Sequence, residues 1–90
     1  MATPAVNTNM PKQGALYILR DGCEYVLSDP ELYLIGRDEV VLVLGSELVL
    51  PTEGEPVLVR VTVFLPRLGT VHSGTHHVSL NWDERWRQLC

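Results

Sequence analysis

Three histidines, His72, His76 and His77, form the constellation in this 90-residue chain best suited to metal or proton chemistry. A neutral imidazole ligates zinc, and it titrates near pH 6.5. Spacing decides how many converge. A hairpin turning on Ser73-Gly74 pairs His72 with Thr75, Val71 with His76, and Thr70 with His77. His72 and His77 then share one face with Thr70, Thr75, Ser79 and Asn81, while His76 falls on the other with Val71, Val78, Leu80 and Trp82. A structural zinc site takes four protein ligands and a catalytic one usually three. A metal site at His72 and His77 is therefore two ligands of a set that Cys23 or Glu24 would have to complete through space. The main expectation is a polar, solvated hairpin face with one histidine against the core, and no metal or other cofactor.

Other catalytic sets are thinner. Ser73 beside His72 supplies a hydroxyl and a base, but a triad needs the base within hydrogen-bond reach and a third group to orient it. Glu53 and Glu55 stand in a charged loop, and Asp83 and Glu84 at a helix start where acids favour the dipole. Neither pair has the contrasting environments that separate an acid from a base. A glycine-rich phosphate loop and a Cys-x-x-Cys pair are absent. The chain reads as a non-enzyme.

The elements that must carry these residues are extended. In residues 57–65, Val57, Val59, Val61, Val63 and Leu65 take every second position, with Arg60 and Thr62 between them. A period of two places the valines on one face of a strand and the arginine on the other. Residues 16–20 and 23–27 flank Asp21-Gly22, a dipeptide favoured in tight primed hairpin turns. That hairpin puts Leu16, Ile18, Tyr25 and Leu27 on the core face. Residues 32–36 form a third short strand. Residues 40–50 form a fourth element that breaks at Gly45-Ser46, either as a hairpin loop or as a bulge. Pro66 to Gly69 turns the chain into a last hairpin, 70–72 with 75–82, around Ser73-Gly74. About seven short antiparallel strands with regular turns predict an all-β fold, a compact β-sandwich or partly open barrel.

Residues 1–14 read as an extended N-terminal arm and 15–90 as one β domain. At the C-terminus, Trp82, Trp86 and Leu89 recur at i, i+4 and i+7, one face of a short helix capped by Asn81 with Glu84 three residues on. The two tryptophans either plug an open end of the sheet or, with Leu89, anchor a partner, since tryptophan is enriched among interface hot spots.

Composition narrows the partner. A formal charge of −4, with seven basic residues scattered singly, excludes a basic nucleic-acid footprint and disfavours anionic membranes. The longest apolar run, 40–44, is far short of the roughly 20 residues that span a bilayer. The first 14 residues carry neither the basic start nor the apolar stretch of a signal peptide. Two cysteines, Cys23 and Cys90, fit free thiols in a reducing compartment. A hydrophobic fraction of 46% is high for a chain this small, whose core is thin. These features predict a non-catalytic assembly module that forms a homo-oligomer or coats a larger particle, such as a virion.

Two segments resemble known families. GALYILRDGCEYVLSDPELYLIGR, residues 14–37, resembles the start of a forkhead-associated domain, which opens with a β-hairpin followed by an apolar strand ending in Gly-Arg, here Gly36-Arg37. The resemblance implies a phosphothreonine-peptide module with Arg37 on the phosphate. The family's following Ser-x-x-His and its later asparagine loop are missing. VTVFLPRLGTVHSG, residues 61–74, is similar to the glycine-valine-histidine turn of nucleoplasmin-like chaperone pentamers, without the acidic tracts of that family.

Overall fold

A computed structural model describes residues 10–89. Among them are seven strands and one short helix: β1 (Leu16–Leu19), β2 (Val26–Leu27), β3 (Tyr33–Leu34), β4 (Val41–Val49), β5 (Leu58–Leu65), β6 (Thr70–His77), α1 (Trp82–Arg85) and β7 (Trp86–Gln88). Five strands form one antiparallel sheet in the order β6-β5-β4-β1-β7, and β2 with β3 forms a second, two-stranded sheet. The all-β class is thus the one found. Of the arm, only residues 10–14 are described: Pro11 is buried and Met10 packs against the core.

The period-two strand behaves as its pattern requires. Val59, Val61, Val63 and Leu65 are buried and Arg60 is exposed. Its register sets the inner face of the sheet: Val43 opposite Val63 opposite His72, and Ser46 opposite Val61 opposite Gly74. The break at Gly45-Ser46 is a bulge. Val43 pairs with Val63 and Gly45 with Thr62, so Leu44 is the extra residue and turns outward, 39% exposed.

Three local expectations are corrected. The turn at Asp21-Gly22 forms, with Gly22 at φ 81° and the Cys23 N–H donating to the Arg20 carbonyl, but its two flanks do not pair. Both primed turns need positive φ at the first central residue, and Asp21 does not adopt it. β1 instead lies between β4 and β7, which turns Tyr17 and Leu19 inward and Leu16 and Ile18 outward. Second, no hairpin turns on Ser73-Gly74, because β6 runs unbroken across it. Ser73 exchanges backbone hydrogen bonds with Asp29 (2.9 and 3.1 Å) and accepts one from Ser28 (2.9 Å), so the β2–β3 loop hooks onto this edge. Third, α1 stops at Arg85, and Trp86 enters β7 opposite Leu19. Asn81 caps α1 as expected, its Oδ1 accepting from the Asp83 N–H at 3.1 Å.

Candidate functional site

An unbroken β6 reassigns the histidines. His72, Gly74 and His76 now share the inner face, and His77 is exposed on the outer one. The proposed ligand pair His72 and His77 is therefore split across the sheet, five residues and about 16 Å of strand apart. Among the described residues, no group of three or more His, Cys, Asp or Glu side chains stands close enough to hold a metal ion. Cys23 is a free thiol, and Cys90 lies outside the described residues.

Each inward histidine joins a tyrosine. His72 is buried against the Tyr33 ring, with centroids 5.7 Å apart, and its Nε2 bonds the Thr70 hydroxyl at 2.7 Å. The Tyr33 hydroxyl donates to both carboxyl oxygens of Glu39, at 2.8 and 2.7 Å. Glu39 is 4% exposed and also accepts the Gly36 N–H at 2.8 Å, closing the turn in which Asp38 adopts φ 63°. The bond to Glu39 is the chief cause of a raised Tyr33 pKa, with burial second. This carboxyl group was not visible to sequence reasoning: a glutamate between a loop and an apolar run has no period to mark it. It satisfies a turn, and its neighbours leave no open position for a substrate.

The second pair is Tyr25 with His76, joined at 2.6 Å between the hydroxyl and Nδ1. Burial pushes the Tyr25 phenol well above its ordinary value and the His76 imidazole below 6.5, with Arg85 a lesser cause for the histidine. Tyr25 thus stays protonated, and the hydrogen bond joins its hydroxyl to a neutral ring. The folded state binds the His76 proton less readily than the unfolded chain. The contribution is therefore complete above pH 6.5 and declines as pH falls from there towards the lowered folded value. Urea midpoints across pH 5–8 are expected to fall on the acid side of pH 6.5, and His76→Asn to flatten that fall. An unchanged slope in the variant refutes the assignment.

Trp82 and Trp86 complete this aromatic packing and correct the docking-anchor expectation. They are 0% and 1% exposed and stack at 4.7 Å with planes 9° apart. Edges of Tyr25 meet both rings, and Tyr17 meets Trp82. Since both indoles are inside the chain, a partner cannot contact them without unfolding it. Leu89, the third of the set, is 41% exposed.

Arg37 lines a shallow cleft of about 390 Å³ with Arg20, Cys23 and Leu34. Its guanidinium lies 3.8 Å from the Asp21 carboxylate, with side chains 81% and 90% exposed. Such a surface pair holds neither group firmly. Arg20 is engaged elsewhere, its Nε donating to the Asp83 carbonyl at 2.9 Å. The cleft offers a phosphate one tethered cation facing a carboxylate.

The feature without an internal use is the outer face of the five-stranded sheet. The register aligns Val71 with Phe64, Phe64 with Leu42, and Leu42 with Leu16. The Leu89 N–H donates to the Leu16 carbonyl at 2.8 Å, which carries the row onto the last strand. One apolar side chain from each of β6, β5, β4 and β1, with Leu89 just past the end of β7, thus forms a continuous band across the sheet. Val71 is 52% exposed and Leu16, Leu42 and Phe64 are half-buried, and none of the five belongs to the core cluster. The bulge adds Leu44 beside the band. Single exposed leucines are ordinary, but a contiguous band marks an interaction surface. No helix among the described residues is long and apolar enough to cross a membrane.

No protein-family model matches the chain, and neither the curated proteins nor the solved structures contain a significant match to it.

Proposed function

We propose that the chain is a non-catalytic assembly module that joins a larger protein assembly through the outer face of its five-stranded sheet, with Leu89 now part of that face and the tryptophans beneath it as core. The observation that carries this reading is the band Leu89-Leu16-Leu42-Phe64-Val71. An antiparallel sheet with one wet face shows polar residues outward. Here the outward positions of one complete row are apolar, in a chain with a formal charge of −4 and few residues to spare for its core.

The polar groups of the interior support the same reading. Tyr33 bonds Glu39, Glu39 closes the turn at Gly36, and Tyr25 bonds His76, so most of these polar groups are engaged within the chain.

Charge placed on the band tests the proposal. Val71→Glu and Leu89→Glu change exposed side chains, so folding should be kept within about 0.5 kcal/mol. Native mass spectrometry of protein drawn from its source is expected to find the wild type in a complex and both variants at the chain mass of 10.1 kDa. A wild type that flies alone, or variants that stay assembled, refutes it.

A further inference from the structure

We infer that the occupant of this face is a second copy of the chain, packed sheet to sheet about a two-fold axis that runs along the strands between β4 and β5. The inference rests on the assembly reading and names its partner.

The argument is the self-complementarity of the face. A two-fold in the interface, parallel to the strands, keeps every cross-strand row opposite itself and exchanges β4 with β5. Leu42 then covers Phe64 of the second copy, and Phe64 covers its Leu42, because the two residues are partners in one register. Glu47 and Arg60 are partners in the same register, five positions along β4. They form an exposed ion pair at 3.3 Å within one chain, with side chains 64% and 49% exposed. The same axis lays Glu47 over the partner's Arg60 and Arg60 over the partner's Glu47. One operation therefore matches apolar to apolar in one row and opposite charges in another. An axis through β4 itself sets Glu47 against Glu47 and fails on charge.

Shape agrees. A shallow depression of about 450 Å³ lies between these two strands, lined by Leu44, Gly45, Glu47, Arg60 and Thr62. A side chain at Gly45 would meet no atom within 4 Å, so the outer face is open there. Area sets the affinity class. With strands about 4.8 Å apart and 3.3 Å per residue, the face measures on the order of 500 Å². The axis leaves β7 outside the overlap and sets short β1 over β6, so the two faces bury less than about 1,000 Å², the range of weak, transient contacts, which fits association in the upper micromolar range. Aligned sheets keep their mean strand directions within about 30° of each other, and the parallel arrangement this axis gives falls in that range.

Charge reversal provides the test, with purified chain alone. Light scattering of the wild type across about 1 to 100 µM is expected to rise from 10.1 kDa towards twice that mass. Glu47→Arg sets positive charge on positive across the axis, and Arg60→Glu sets negative on negative. Each variant alone is expected to weaken dimerisation at least about tenfold. An equimolar mixture of the two regains it, because a chain bearing two arginines then meets a chain bearing two glutamates. The intrachain pair stays broken in both, so recovery reports the contact between chains. A wild type at 10.1 kDa throughout overturns the inference. So do variants that dimerise as the wild type does, or a mixture that stays monomeric. If the purified chain is monomeric while Val71→Glu still releases it from a complex in its source, the second copy is refuted and the assembly reading stands.

Discussion

Trp86→Ala is expected to remove about 3–5 kcal/mol of stability, the range for deleting a large buried aromatic side chain. A 90-residue domain has only about 5–13 kcal/mol in total. The variant should therefore lose a large share of its stability at 25 °C, with its urea midpoint lowered by about a quarter or more. The size follows from what the indole touches. It stacks on Trp82, meets the edge of Tyr25, and stands opposite Leu19 where β7 closes on β1. Its loss leaves a void that rigid neighbouring rings cannot fill. Trp86→Phe supplies the control. Among the described residues the indole N–H groups of Trp82 and Trp86 are buried without an acceptor, so phenylalanine removes an unsatisfied donor as well as some volume. It should cost well under half as much. A tryptophan that served only as a docking anchor would give neither effect. An alanine variant with wild-type stability would refute the core assignment.

Gly74→Ala is the second large effect, from a single methyl group. A Cβ at this position would lie 2.9 Å from the Val26 carbonyl oxygen and 3.2 Å from Leu27 Cα and Cδ2. The neighbour is mostly backbone, and it is pinned by the hydrogen bonds that Ser28 and Asp29 make to Ser73. Relief requires the β2–β3 sheet to lift off β6. Overpacking of this kind costs about 1–3 kcal/mol. Hydrogen exchange locates it: the Ser28, Asp29 and Ser73 amides should lose protection, while those of β4 and β5 keep theirs. Uniform loss of protection, or none, counts against the close approach. Gly45→Ala is the matched comparison, since its Cβ enters open space.

These two positions also show what was legible in the sequence. The alternation from Val59 to Leu65 identified a half-buried strand because burial imposes a period of two on one face. The turn before Gly69 and the cap at Asn81 were legible for the same reason, as each rests on local backbone chemistry. Gly74 was misread because glycine signals two things alike, a turn and a close approach, and only the position of Val26 distinguishes them. That error put His72 on the outer face and suggested the pair His72 and His77, while His76 and His77 fall on the faces expected. The Trp82-Trp86-Leu89 spacing satisfies helical periodicity, yet a strand beginning at Trp86 also turns its first side chain inward. The apolar band could not be read at all. Leu16, Leu42, Phe64, Val71 and Leu89 are neighbours through register alone, and register between distant strands has no signature along the chain.

The place of β1 bears on how the molecule is made. It precedes every other strand in the chain, yet its residues bond on one side to Val41 and Leu42 and on the other to Trp86, Arg87 and Gln88. The strand can pair with β4 once residues 41 and 42 have been made, but its other edge stays open until β7 follows. Closure then spans some seventy residues of intervening chain, the kind of long-range pairing that slows folding. Until β7 is in place, Leu19 lacks its partner Trp86, and that interval is when a chaperone has most to hold.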